Sequence, residues 1–250
     1  MKKFEANKAV LSCSGGLDSS MLLLKLLAEG KSVRCYSFNY GQKHVIELEK
    51  IKKNIEFLKS KGLPVEHQIV DVTDIFSGNT SSLVASTGKG IPHGHYAAEN
   101  MKSTVVPLRN VIFSAVVYSK AINWAVETGE NVMISLGIHA GDHTIYPDCR
   151  PESQEACKHA FEISDWNSDK VDYEAPFVNL DKGQVLSEGL KAMKVLGFTE
   201  EERDFFLGNT HTCYDPDPEG RSCGKCGSCT ERLEAFEKNG LKDPVPYLSR

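Results

Sequence analysis

VLSCSGGLDSSMLLL, residues 10–24, runs an apolar strand into two adjacent glycines set between hydroxyls, then directly into a leucine-rich helix. A strand-to-helix corner gathers backbone N–H groups and the positive end of a helix at one point, which suits an anion. Gly15 and Gly16 permit backbone angles and a closeness of approach that a Cβ would block. Ser14, Ser19 and Ser20 add hydroxyl donors, and Asp18 is placed to take a Mg²⁺ arriving with phosphates. An ordinary tight turn uses the same residue types, so spacing favours phosphate binding without requiring it. The corner is neither a Walker loop nor a dinucleotide fingerprint. Gly88-Lys89 and Gly224-Lys225 both lack the glycine five residues earlier, and no G-x-G-x-x-G occurs.

Outward from that corner, short apolar runs alternate with helical patterns, as in βα units around a parallel sheet. Strands are expected at 9–13, 33–40, 65–72, 131–138 and 173–177. Helices are expected over 19–30, 46–62, 109–129 and 181–197, the last capped by Asp181. The first is apolar nearly all round and should be buried. Residues 77–103 lack periodicity and read as a long functional loop. The fold class is therefore α/β, a parallel sheet flanked by helices over residues 1–208, with a small module at 209–250 where Cys, Gly, Pro and charge take over.

A 40% hydrophobic share fills a core without disulfides, and a net charge of −5 argues against a surface built to neutralise nucleic-acid phosphates. No apolar run suggests a secretion signal or a membrane span, so the expected location is the cytoplasm. In that setting the cysteines divide clearly. Cys13, Cys35, Cys149 and Cys157 are scattered, whereas Cys213, Cys223, Cys226 and Cys229 follow C-x9-C-x2-C-x2-C. Four thiolates with this spacing, and glycines at 224 and 227, are what a closed tetrahedral Zn²⁺ site asks for. An iron–sulfur cluster uses the same ligands. With no position left for water, the metal is expected to be structural.

SGGLDS (14–19) is similar to the S-G-G-x-D-S corner of the PP-loop ATP pyrophosphatases. That resemblance implies an ATP site over Cys13, Ser14, Gly15, Gly16, Leu17, Asp18, Ser19 and Ser20, holding the leaving pyrophosphate while an oxygen attacks the α-phosphorus. Joined to a four-cysteine knot, it resembles the 7-cyano-7-deazaguanine synthase family of the queuosine pathway. NYGQKHVIELEK (39–50), GHYAAENMKSTVVPLRN (94–110), GIHAGDHTIYPDCRPES (137–153), APFVNLDKG (175–183) and CGKCGSCTERLEAFEKNGLKDP (223–244) extend the likeness over nearly the whole chain.

The family reaction implied is adenylation of 7-carboxy-7-deazaguanine, trapping by ammonia as an amide, then a second activation and dehydration to the nitrile. Two ATP would be consumed. Arg109 and Arg150 are candidate partners of the acid, Asp142 and Asp148 of the base's N–H edge, and Tyr40 or Tyr146 of its ring face. Gln42 and Asn110 complete the expected substrate pocket. Asp18, Lys182 and Arg109 are the expected catalytic residues, with Lys182 supplying the charge that a lysine-free loop lacks. Each has a plainer reading beside it, such as an ion pair for Arg109 or packing for Tyr146. His139 and His143 have i, i+4 spacing, but HAGDH is a poor helix, so hydrogen bonding is preferred to metal binding. Cys149 reads as a structural thiol, because an adenylated acid already reacts with ammonia. A homodimer is expected, with no nucleic acid and no membrane as partners.

The family's usual Trp before the first zinc cysteine is replaced by His211-Thr212, and YDPDPEGRS before Cys223 is long and acidic. Rival readings are a PP-loop tRNA sulfur transferase, which would want a basic face, a glutamine-dependent synthetase, which would want a nucleophilic cysteine at position 2 where Lys2 stands, and a zinc adaptor. A ligase that stops at the amide of the same acid is the nearest rival.

Overall fold

The computed structural model describes residues 4–94, 99–144 and 146–248. Five strands form one parallel sheet: β1 (Lys8–Ser12), β2 (Ser32–Asn39), β3 (Val65–Asp71), β4 (Val132–Leu136) and β5 (Val171–Glu174). Their order is β3-β2-β1-β4-β5. Three helices cross between strands in the first four units: α1 (Leu17–Ala28), α2 (Glu47–Ser60) and α3 (Arg109–Thr128). Then follow α4 (Pro151–Glu162) before β5, and α5 (Lys182–Val195), α6 (Glu200–Gly208) and α7 (Gly227–Lys238) after it.

Alternation along the strands divides the core between the two faces. Ala9, Leu11, Val33 and Cys35 join α1, α2, α5 and α7 through Leu22, Ile51, Leu186 and Phe236. Val10, Tyr36, Ile134 and Leu136 join α3 through Val117, Ala121 and Trp124 on the opposite face. Helix α1 is buried on almost every side. The stretch Met101–Thr128 is long and apolar enough to cross a bilayer by length and composition. Within it, α3 packs across β1 and β4 through Val117, Ala121 and Ala125.

The chain winds one way from β1 to β3 and the other way from β4, so strand order reverses between β1 and β4. In an open parallel sheet the crevice at the carboxyl ends of such neighbours is where ligands bind. Two glycines keep it narrow. Gly15 has φ +85°, and a Cβ there would lie 2.6 Å from the Glu47 carbonyl oxygen. A Cβ on Gly137, just beyond β4, would lie 2.9 Å from the Ser19 Cα.

Three differences from the sequence expectations have physical causes. The last strand is Val171–Glu174, not 173–177, because Pro176 ends the ladder and Phe177 turns into the α1 face. The polar stretch after residue 150 contains α4, with Pro151 in its first turn. Helix α6 opens on a capping box in which the Thr199 side chain accepts from Glu202 N and the Glu202 side chain accepts from Thr199 N. Asp181 caps α5 as expected, paired with Gln184. The side chain of His143 and residues 95–98 lie outside the described part.

Candidate active site

A cavity opens at that reversal point, lined by Ser12, Ser14, Gly16, Asp18 and Ser19 from the corner and by Leu136, Gly137 and Ile138 beyond β4. Tyr40, His44 and Glu47 face it from the β2–α2 connection, and Arg109, Asn110 and Phe113 from α3. Within the corner, Gly16 N donates to Ser14 Oγ at 3.1 Å, and the Ser14 and Ser19 hydroxyls lie 3.2 Å apart. Cys13 and Leu17 are fully buried beneath it, and Ser20 is buried with its hydroxyl unpaired. These three residues hold the corner's shape from below, while Ser14, Gly16, Asp18 and Ser19 face the cavity.

The wall on the corner's side carries a knot of charge. Lys182 Nζ lies 3.3 Å from Asp18 Oδ2 and 3.2 Å from Glu231 Oε2. Burial opposes the ammonium, but Asp18 and Glu231 hold it well above the ordinary lysine range. Burial would raise the Asp18 carboxyl, yet Lys182 and His139 outweigh it and keep the group below its usual value. His139 Nδ1 accepts from Gly141 N at 3.0 Å, leaving Nε2 to carry a proton toward Asp18, Asp142 and Glu231 at 3.8, 3.7 and 3.9 Å. Asp18 Oδ1 is buried without a hydrogen-bond partner, and Glu231 Oε2, though ion-paired, finds no aligned donor. Such atoms are costly unless something else arrives to use them.

The opposite wall is aromatic. Arg109 donates from its guanidinium to the Tyr40 hydroxyl at 3.1 Å and lies 5.5 Å from the Tyr40 ring centre and 5.8 Å from that of Tyr146. Tyr214 and Phe113 continue the surface. Cys149 belongs to this wall, but its thiol takes a hydrogen bond from Asn110 Nδ2 at 3.1 Å, and burial pushes it far above the range of a reactive thiolate.

The cysteine segment closes the cavity's rim. His211 N donates to the Gly15 carbonyl at 2.8 Å, and His211, Thr212, Tyr214 and Ser228 line the cavity. The four sulfurs of Cys213, Cys223, Cys226 and Cys229 are buried and lie within 4.8 Å of one another. A tetrahedral zinc–thiolate site has sulfurs about 3.8 Å apart, and Cys223 and Cys229 are at 4.0 Å. Cys213 Sγ accepts from Asp215 N and Cys223 N, and Cys223 Sγ from Lys225 N and Cys226 N, at 3.2–3.4 Å. Paired backbone donors aimed at sulfur suit thiolates. The set fits a metal ion.

The sequence model of the queuosine biosynthesis protein QueC matches residues 8–240. The chain belongs to this family. A 7-cyano-7-deazaguanine synthase 1 of Colwellia psychrerythraea is 41% identical over 246 residues, covering 97% of this chain and 99% of that protein. A 7-cyano-7-deazaguanine synthase of Caldicellulosiruptor saccharolyticus is 42% identical over 240 residues, covering 96% and 95%. A 7-cyano-7-deazaguanine synthase of Methanoregula boonei is 40% identical over 240 residues, covering 96% of this chain and 99% of that protein. Among solved structures, an NMN synthetase from Francisella tularensis aligns with TM-score 0.41 at 14% identity over 96% of this chain and 79% of that one.

Within this QueC-family chain, the sequence-nominated residues separate by place. Asp18, Tyr40, Arg109, Asn110, Asp142, Tyr146 and Lys182 face the cavity. Gln42 does not: its amide bridges Phe38 O, Tyr40 N and Glu47 Oε1 at 2.9–3.0 Å, locking the turn behind the wall. Asp148 is spent on α3, where Oδ2 accepts from Asn110 N at 2.9 Å. It does for this helix what Leu108, left-handed at φ 54°, cannot do as a cap. Arg150 is exposed at the start of α4, away from the cavity. Glu47, His44 and Glu231 were not singled out by the sequence reading, although they fall inside the NYGQKHVIELEK and CGKCGSCTERLEAFEKNGLKDP segments that carry the family likeness, whereas His211, noted there only as a departure from the family pattern, lines the cavity.

Proposed function

We propose that this chain is an ATP-dependent 7-cyano-7-deazaguanine synthase that converts 7-carboxy-7-deazaguanine and ammonia to the nitrile through an adenylated acid and an amide. One observation carries the reading. In a QueC-family chain, the SGGLDS corner, Lys182 and Arg109 open onto a single cavity at the β1–β4 reversal.

The two walls suit the two substrates. At the corner, the backbone N–H groups at the start of α1 with the Ser14 and Ser19 hydroxyls hold the β- and γ-phosphates, and Asp18 takes the Mg²⁺ that accompanies ATP. Lys182, now balanced by two carboxylates, neutralises the charge that builds on the departing diphosphate. The deazaguanine ring lies against Tyr40 and Tyr146, its carboxylate meets Arg109, and Asp142 accepts from the base's N–H edge. The acid oxygen attacks the α-phosphorus and pyrophosphate leaves. Ammonia then displaces AMP, and a second adenylation of the amide oxygen permits its loss as AMP with formation of the C≡N bond.

We assign Zn²⁺ to Cys213, Cys223, Cys226 and Cys229, where it supplies a crosslink that fixes residues 209–250 against the corner. The working form is a cytoplasmic homodimer that needs no nucleic acid. The test is a product assay by mass spectrometry with ATP, Mg²⁺, ammonia and the acid. Pyrophosphate, AMP and the nitrile are expected. Product that stays at the amide after long incubation, or ATP that loses only its terminal phosphate, would overturn the proposal.

A further inference from the structure

We propose that the side chain of Glu47 is the base that takes a proton from ammonia as its nitrogen adds to the adenylated acid. The proposal rests on the function assigned above. In that step the nitrogen lone pair forms the new C–N bond, an N–H bond breaks with its proton passing to the Glu47 carboxylate, and the C–O bond to AMP breaks as AMP leaves with the electron pair. No other co-reactant is needed.

The placement follows from the packing of α2. Glu47 is its first residue, and its carbonyl presses on the corner where only a glycine fits, at position 15. The side chain is 6–8% exposed and belongs to the cavity lining. Oε1 accepts from Gln42 Nε2 at 2.9 Å, and His44 Nε2 lies 3.6 Å away. Gln42 is itself held by Phe38 O and Tyr40 N, so the carboxyl is aimed by a locked amide rather than by a mobile partner. It thus stands between the phosphate corner and Arg109, where the acid's carbon must lie while it is bonded to the α-phosphate.

Among the described residues, the charged and titratable groups around it are Arg109 from α3, Tyr40 just after β2, Cys13 just after β1 and His44 from its own turn. Burial pushes Glu47 up to about 8, against the pull of the Gln42 hydrogen bond and Arg109. A base works best when its affinity for protons matches the working pH. The remaining groups on this wall are mistuned. Burial pushes Tyr40, Tyr146 and Cys149 up and His44 well down. Asp18 lies on the other wall beside Lys182, and Asp142, 3.7 Å from His139, is taken up by the base's N–H edge.

The experiment separates two half-reactions. ATP–pyrophosphate exchange driven by the acid, without ammonia, reads adenylation alone. Single-turnover amide formation at fixed free ammonia across pH 6–9 reads the attack. Glu47→Gln keeps the shape and the Gln42 contact. It is expected to leave exchange within about threefold while slowing amide formation roughly 10²–10³-fold. The wild-type rate should rise to a plateau with its midpoint near 8, and the variant should be flat with pH. Glu47→Asp should recover part of the rate and the rising limb. Amide formation by Glu47→Gln within threefold of wild type, with the limb intact, would overturn the proposal. So would equal loss in both half-reactions, which would make Glu47 a support for the corner. Absence of exchange in the wild type would instead overturn the function on which this step depends.

Discussion

The two walls of the cavity are built on opposite principles. The corner wall is backbone and charge: Gly16 N–H, two serine hydroxyls, and Lys182 suspended between Asp18 and Glu231. The facing wall is ring surface, with Tyr40, Phe113, Tyr146 and Tyr214 around one cation, Arg109, and one buried acid, Glu47. A polyanion needs many fixed donors and a balancing cation, whereas a flat heterocycle needs faces and one or two directional partners. Under the proposed function each substrate takes its own wall, and substitutions should fail in correspondingly different ways.

Asp18→Asn gives the largest effect. Losing the charge that would hold Mg²⁺ and orient Lys182 should lower acid-driven pyrophosphate exchange by at least about 10³-fold with the fold unchanged by circular dichroism. Exchange near wild type would show that the corner does not handle the metal-bound nucleotide. Arg109→Met is expected next, at roughly 10–10²-fold in kcat/KM for the acid, since a charged hydrogen bond is worth about 1.5–3 kcal/mol. Its KM for ATP should stay put; an equal rise for both substrates would erase the distinction between the walls. Glu231→Gln should be smallest, about fivefold on the KM for ATP, because Asp18 still pairs with the buried Lys182 and a glutamine oxygen can still accept its hydrogen bond, which limits the loss to ~1 kcal/mol.

How legible each wall was follows from how it is made. The corner is contiguous in sequence, so SGGLDS disclosed it, and the alternation of apolar runs disclosed the sheet around it. The charge knot is not contiguous: Asp18, His139, Lys182 and Glu231 come from four segments, and Glu231 sits on a helix masked by the glycines and cysteines before it. Glu47 looked like the start of an amphipathic helix and His44 fell just before it, and nothing local says that a carboxylate at a helix's first residue will be buried. Asp148 and Arg150 were drawn toward the pocket by their neighbours in sequence, yet one accepts from Asn110 N at the start of α3 and the other is exposed at the start of α4. Pro151 and the Thr199–Glu202 box were readable signals for α4 and α6.

Helix α7 begins on Cys226, carries Cys229 within its first turn, lends Ser228 to the cavity and reaches Lys182 through Glu231. One helical turn thereby joins the sulfur cluster to the charge balance of Lys182. With the metal proposed for that cluster removed, the turn that presents Glu231 would lose its anchor, so a metal-starved cell would hold this protein with its charge knot loosened.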